Sequence, residues 1–264
     1  MPVSSRIRPY DHVLLDLDGC LWVGDDACDG AVDAVTALRE AGASVLFLTN
    51  DVRHTPEDFV RKLWRLGFQA SIAEVVTVGA AMQFLLSGRA HSSAYVVGSQ
   101  ALIDHVANAG VRILNRTPFA TRADVVVVGA HDDFQYDELR IATQAVLRGA
   151  ELIGAGRDRT FPMADGAWPA SGAVLAAVEH AAGRTADVIV GKPEPAMYEA
   201  ARDRLGPGRV LAVGDLLEVD IAGARRAGLD SALVLTGGTT REAADAADPK
   251  PTHVADSLGA LVLG

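Results

Sequence analysis

Asp16 and Asp18 stand two residues apart behind the apolar run Val13-Leu14-Leu15, and Gly19 follows at once. A short apolar run closed by a turn signal reads as a buried strand of a parallel sheet. Side chains two apart on an extended chain point the same way. Both carboxylates are therefore expected at one spot at the strand's carboxyl end, where open α/β sheets place their ligands. Gly19 permits a sharp turn there and leaves room for a ligand to approach. Without chemistry, the same residues read as a solvated strand end with Asp as a turn former. Other apolar runs end in polar residues too: 45–48 in Thr49-Asn50-Asp51, 188–190 in Gly191-Lys192, and 210–213 in Gly214-Asp215. Lys62, Lys192 and Lys250 are the only lysines, so one at a strand end is informative. In one parallel sheet the four ends share an edge, and that convergence marks a site more strongly than any single motif.

The residue types in this set suit phosphoryl transfer. With Asp16, Asp18 and Asp215 side by side, two unit charges 4 Å apart repel by roughly 4 kcal/mol at an effective dielectric of 20. Three carboxylates so placed call for a cation. Oxygen-only ligands with room for water suit Mg²⁺, and no His/Cys group at zinc-ligand spacing competes for the role. Lys192, Thr49 and Asn50 then offer phosphate oxygens a point charge, a hydroxyl and an amide. Positioning and charge neutralisation are what that reaction demands. Asp16 is placed as the nucleophile of an aspartyl-phosphate intermediate, with Asp18 as acid for the leaving oxygen and then base for water.

The elements that must position these residues follow from periodicity. Residues 29–42 and 55–67 read as helices, the second opened by Thr55-Pro56-Glu57-Asp58 as cap, first-turn proline and first-turn acids. Strand, helix, strand, helix with short loops implies a right-handed, parallel, doubly wound sheet. Strands are expected at 95–97 and 125–128, helices at 102–108 and 136–148, and a short strand at Leu152-Ile153. Residues 154–173 show no clear period and read as a long loop, functional or a linker, followed by a helix at 174–182. Trp22 and Trp64 are assigned to packing, Cys20 to the role of a small buried hydrophobe, and Asp132-Asp133 after His131 to helix capping.

The chain has 264 residues, 49% hydrophobic and 22% charged, which is a folded composition with room for one or two domains. Its net charge of -10 argues against nucleic-acid or anionic-membrane partners, but not against a small anionic substrate. Cys20 and Cys28 make no disulfide framework and fit a reducing compartment. Met1 to Tyr10 lacks the apolar core of a secretory signal, and no apolar run reaches membrane-span length. A cytoplasmic location is expected.

The stretches Asp16-Leu17-Asp18-Gly19, Phe47-Leu48-Thr49-Asn50, Gly191-Lys192-Pro193 and the segment from Gly214-Asp215 to Asp220 resemble the four motifs of the haloacid dehalogenase (HAD) superfamily. Most of the chain resembles its subfamily IIA, the NagD-like phosphatases, with 4-nitrophenylphosphatase, phosphoglycolate phosphatase and pyridoxal phosphatase relatives. The likeness continues through residues 132–139, from Trp168-Pro169 through Gly172 to Glu179, and at Gly183-Arg184. The resemblance implies an α/β fold: a Rossmann-like core of residues 1–79 and 184–264 with a parallel sheet, and a C2-type α/β cap inserted over 80–183. It implies Mg²⁺ on the side chains of Asp16 and Asp215 and on the backbone carbonyl of Asp18, with Asp220 ordering the metal loop.

The sequence departs from the subfamily at Asp51-Val52, at 154–158 and at Pro169-Ala170-Ser171-Gly172, segments that face the leaving group. Asp51, Arg157, Arg159 and Trp168 are accordingly the expected contacts to the variable part of the substrate, and a homodimer through the cap is expected. The reading is an Mg²⁺-dependent phosphatase of small phosphorylated metabolites. Alternatives on the same core are a phosphate-binding or regulatory module without turnover and a phosphotransferase or mutase. A response-regulator receiver shares some of these strand-end residues but has no use for a lid or a leaving-group acid.

Overall fold

The computed structural model describes residues 3–90, 92–163 and 166–264. The chain divides into two compact units: Met1–Thr49 with Pro56–Val76 and Lys192–Gly264, and Asn50–Thr55 with Thr77–Gly191.

The chain enters through β1 (His12–Asp16), a small hairpin of β2 (Trp22–Val23) and β3 (Asp26–Ala27), helix α1 (Ala31–Glu40), β4 (Ser44–Thr49), α2 (Pro56–Arg65) and β5 (Val75–Thr77). The second unit then holds α3 (Val78–Ser87), β6 (Ser93–Val97), α4 (Gln100–Asn108), β7 (Arg112–Ile113), β8 (Val125–Val128), α5 (Tyr136–Leu147), β9 (Glu151–Gly154), β10 (Thr160–Met163), β11 (Gly166–Pro169), α6 (Ser171–Ala182) and β12 (Val188–Ile189). The first unit resumes with α7 (Pro195–Leu205), β13 (Val210–Gly214), a π-helical turn at Leu217–Ile221, α8 (Ala222–Arg226), β14 (Asp230–Val234), α9 (Arg241–Ala246), β15 (His253–Ala255) and α10 (Leu258–Val262).

The first unit is Rossmann-like. Its sheet runs β15-β14-β13-β1-β4-β5, and β1 pairs in parallel with both β13 and β4. The chain leaves β1 toward one side and later returns on the other, so the strand order reverses between β1 and β13. Open α/β sheets bind ligands at such a reversal. Period-two burial holds the sheet: Val13, Leu15, Val45, Phe47, Leu211, Val213, Ala232 and Val234 fill one core with Val35 and Leu38 of α1 and Leu258 and Leu261 of α10.

The second unit has its own five-stranded sheet, ordered β12-β9-β8-β6-β7. Tyr95, Val97, Val126, Val128 and Leu152 pack there against Ala142 and Val146 of α5 and Leu175 and Val178 of α6. The strand before Lys192 belongs to this sheet: β12 pairs with β9. The expectation of four strand ends on one sheet edge is therefore corrected. Three ends come from the first sheet, and Lys192 is the first residue where the chain rejoins the first unit, after β12 of the second sheet. An apolar triplet carries no mark of the sheet it joins, which is why the sequence misplaced it.

Residues 154–173 are corrected as well. Thr160–Met163 and Gly166–Pro169 pair as an antiparallel hairpin, and α6 starts at Ser171, earlier than the apolar period suggested. Residues 164 and 165 of that stretch, and residues 1 and 2 of the N-terminal segment, lie outside the described residues.

Candidate active site

Asp16 is the last residue of β1 and Asp215 the first after β13, so neighbouring strands deliver both to the reversal point. Asp220 comes from the π-helical turn that follows, a local form frequent at functional sites. One of its oxygens accepts the Leu216 backbone N–H at 3.1 Å, and the other accepts Lys192 Nζ at 2.7 Å. Tyr198 Oη donates to the Asp220 backbone carbonyl at 3.1 Å. Gly214 permits this packing, since a Cβ there would run into the Asp220 side chain. Lys192 also donates to Asp16 Oδ1 and is itself buried. Thr49, the last residue of β4, is buried.

One carboxylate oxygen each from Asp16, Asp215 and Asp220 lies within 4.8 Å of the others. The third acid of the group is thus Asp220. The Asp18 side chain, expected in that place, turns to Trp22, whose indole N–H donates to Asp18 Oδ1 at 2.7 Å. The reason is local. Beyond β1 the chain folds back into the β2–β3 hairpin, Gly19 adopts φ +82°, and Trp22 returns beside Asp18. Trp22 therefore does more than pack, although it is fully buried. Trp64 donates its indole N–H to the Ala70 carbonyl while its ring is largely exposed.

Burial pushes the Asp16 carboxyl well above its usual range; the Lys192 ammonium opposes this, and the charges of Asp220 and Asp215 add to it. Asp215 moves up too: burial raises it, the Gly238 N–H opposes, and Asp220 reinforces. Burial pulls the Lys192 ammonium down, but Asp16 and Asp220 outweigh it and hold the group well above its usual value. Here three acids face one ammonium, and the surplus negative charge favours a further cation. An all-carboxylate donor set fits a hard divalent metal ion. Cys20, buried behind Asp16, has its thiol pushed well up, first by burial and then by the acids, which is the opposite of a reactive thiolate.

The remaining candidates lie in the second unit. Asn50 Nδ2 donates to Asp158 Oδ2 at 3.1 Å, and a Cβ on Gly191 would meet Asn50 Oδ1 at 3.1 Å. The Asp51 carboxylate serves its own loop: it accepts the Arg53 N–H at 2.6 Å and the His54 N–H at 3.3 Å, and it pairs with the His54 ring and the Arg53 guanidinium. Arg53 lies over the Phe161 ring, 4.0 Å from its centroid. Trp168 faces Phe161 across the β10–β11 hairpin at 6.4 Å between centroids. Arg157 makes a two-pronged contact with Glu179 of α6, at 3.2 and 3.0 Å. Arg159 is exposed. His131 pairs with Glu138 at 3.0 Å, and Gln135, not Asp132 or Asp133, is the N-cap of α5.

A reversal point in a parallel sheet, a strand-end carboxylate, a buried lysine and a group of three acids fit an enzyme of phosphoryl transfer. The comparisons with known proteins agree. A haloacid dehalogenase-like hydrolase family matches residues 13–112, and a HAD-hydrolase-like family matches residues 189–261. The chain is 30% identical to an acid sugar phosphatase of Staphylococcus haemolyticus over 97% of each protein. It is 35% identical to the D-glycerol 3-phosphate phosphatase of Mycobacterium tuberculosis, over 98% of this chain and 73% of that one. Among solved structures, the glycerol phosphate phosphatase of M. tuberculosis in complex with magnesium superposes with a TM-score of 0.91 at 34% identity, covering 98% of this chain and 78% of that one. The p-nitrophenyl phosphatase of Archaeoglobus fulgidus gives 0.87 at 28% identity, covering 96% and 98%. The chain belongs to the haloacid dehalogenase-like hydrolases, in the NagD-like phosphatase branch of subfamily IIA.

Two contacts were not read from the sequence: the Lys192 bond of Asp220, a residue expected only to order the metal loop, and the Gly238 bond of Asp215. Asp220 grips Lys192, whereas an acid in a first helical turn reads simply as a complement to the helix dipole. Gly238 donates its N–H to Asp215 Oδ2 at 2.6 Å from the loop after β14. The Thr236-Gly237-Gly238 sequence was the available signal, and only the strand order brings it beside Asp215.

Proposed function

We propose that the protein hydrolyses phosphate monoesters of small metabolites through an aspartyl-phosphate on Asp16, with Mg²⁺ as the cation. The observation that carries the reading is Lys192 held between Asp16 and Asp220, with Asp215 closing the acid group. Asp16 and Asp215 would hold the metal by their side chains and Asp18 by its backbone carbonyl. When bound, the ion neutralises charge on the phosphoryl oxygens.

The chain's own residues do the rest. Lys192 fixes the Asp16 carboxylate and offers its ammonium to the phosphoryl group, while Thr49 and Asn50 supply hydrogen bonds to its oxygens. The Asp16 carboxylate attacks phosphorus, and the ester oxygen leaves with the proton of Asp18. Asp18, now a carboxylate, takes a proton from water. The resulting hydroxide attacks the aspartyl-phosphate and releases inorganic phosphate and free Asp16. The Trp22 indole on Asp18 Oδ1 supports this role, because it fixes the carboxyl and leaves Oδ2 to carry the proton.

Residues 80–183 are read as a C2-type cap inserted into a catalytic core of residues 1–79 and 184–264; the chain's division into two units supports an insertion but groups residues 50–55, 77–79 and 184–191 with the second unit. Asp51, Arg157, Arg159 and Trp168 are read as contacts to the variable part of the substrate, with self-association through the cap. Two free cysteines support a reducing, cytoplasmic setting, and among the described residues no helix is long and apolar enough to cross a membrane.

The test combines metal removal with the nucleophile. Chelation should abolish hydrolysis of phosphate esters, Mg²⁺ should restore it, and Ca²⁺ should restore little. Asp16→Asn should yield neither turnover nor acid-stable phospho-enzyme in rapid quench. Full turnover in excess EDTA, or normal phospho-enzyme in the variant, overturns the reading.

A further inference from the structure

Asp215 sits in a clamp that no motif describes. Its Oδ2 accepts the Gly238 N–H at 2.6 Å. A Cβ on Gly19 would fall 2.5 Å from that oxygen, and a Cβ on Gly237 would fall 2.0 Å from it. Real side chains do not approach so closely, so the carboxylate packs against the bare backbone of both glycines. The two jaws come from different strands, Gly19 from the turn after β1 and Gly237 from the loop after β14. They are tied together, since Thr236 Oγ1 donates to the Gly19 carbonyl at 2.6 Å. All of these residues belong to the first unit.

We propose that Gly19, Thr236, Gly237 and Gly238 are positioning residues that hold Asp215 as a one-oxygen ligand and thereby select a small octahedral cation over a larger one. With Oδ2 bound to the Gly238 N–H and crowded by the backbones of Gly19 and Gly237, Oδ1 is the oxygen left to face a cation. A small cation of the Mg²⁺ type demands near-ideal octahedral geometry at about 2.0–2.1 Å, one oxygen per carboxylate. Ca²⁺ takes 6–8 oxygens at about 2.3–2.6 Å, accepts two-oxygen carboxylates and tolerates displacement. A clamp that fixes one oxygen to within a fraction of an ångström favours the first and gives the second little. The proposal rests on the reading of this acid group as a cation site.

Isothermal titration calorimetry with Mg²⁺ and with Ca²⁺ on the purified full chain tests it without reference to activity. Gly237→Ala pushes Asp215 out of place and should weaken Mg²⁺ binding at least tenfold while changing Ca²⁺ binding less than threefold. Thr236→Val keeps the side chain's shape, removes the tie between the jaws together with the hydroxyl's contact to the Cys28 thiol, and should shift the same ratio by about threefold. Melting curves of the cation-free proteins establish that each variant is folded; if Gly237→Ala is not, Thr236→Val decides. Equal weakening of both ions, an unchanged Mg²⁺ affinity, or a wild type that binds no Mg²⁺ overturns the clamp. A wild type that shows the preference yet hydrolyses no phosphate ester instead overturns the phosphatase reading and leaves the clamp standing.

Discussion

Lys192 is the residue on which the site's electrostatics balance, and removing it separates its structural from its chemical work. Its ammonium is buried against Asp16 and Asp220. Taking away one partner of a buried ion pair leaves uncompensated charge and costs about 3–5 kcal/mol. Lys192→Met should lose stability of that order in EDTA by urea unfolding, and Mg²⁺ should narrow the loss by supplying the missing positive charge. Asp220→Asn still offers Lys192 an oxygen and should lose only about 1–2 kcal/mol. An equal loss with and without Mg²⁺ would show that the lysine's charge is not what the acids need.

Asp51 gives a pH signature. Burial raises its carboxyl, but the His54 ring, the Arg53 N–H and the charges of both outweigh this and hold it at about 2. A folded-state value below the unfolded one stabilises above the unfolded value, about 4, and the contribution disappears as pH falls toward 2. A shift of this size is worth about 2 kcal/mol. The stability gap between wild type and Asp51→Asn should therefore be near that figure at pH 6 and shrink steadily from pH 4 to pH 3. A gap that does not change with pH would remove the charge from the explanation.

At the scale of elements, what the sequence made legible depended on whether a residue's role is set by its own strand or by a neighbour's. Asp16, Thr49 and Asp215 were legible because each closes an apolar run of the first sheet. The sheet that β12 joins was not, since the pairing of β12 with β9 is decided by residues far away in the chain. The β10–β11 hairpin was hidden for another reason: its strands carry Pro162, Gly166 and Pro169, which read as loop, and cross-strand pairing overrides that local preference. Gly172 shows what the loop before the hairpin requires. A Cβ there would run into the backbone of Arg157, and the Gly172 N–H donates to the Asp158 carbonyl at 3.0 Å. The loop lies against the first turn of α6 with no space for a methyl group. Gly172→Ala should destabilise the protein by about 1–3 kcal/mol, as overpacking does, seen as a lower urea midpoint. An unchanged midpoint would mean that the loop yields freely and that Asp158 is not fixed by it.

At the scale of the whole molecule, the acid group and Lys192 belong to one unit, while Arg157, Arg159 and Trp168 belong to the other. The proposed function implies a division of labour: every substrate shares the phosphoryl group, and only the leaving group differs. Lys192→Ala should therefore depress kcat/KM for all esters together, whereas Arg157→Ala, Arg159→Ala and Trp168→Ala should change the ranking among them. Arg157 needs a control, because its contact with Glu179 gives it a structural role as well. Glu179→Gln loosens that contact but keeps the guanidinium. If Arg157 reads the substrate, Glu179→Gln should disturb the ranking less than Arg157→Ala does. If its role is only to pin the loop to α6, the two variants should behave alike. The measurement is kcat/KM for each variant across one panel of sugar, glycerol and aryl phosphates at saturating Mg²⁺. Variants of the second unit that keep the wild-type ranking, beside a Lys192→Ala that reorders it, would reverse the assignment of recognition and chemistry to the two units.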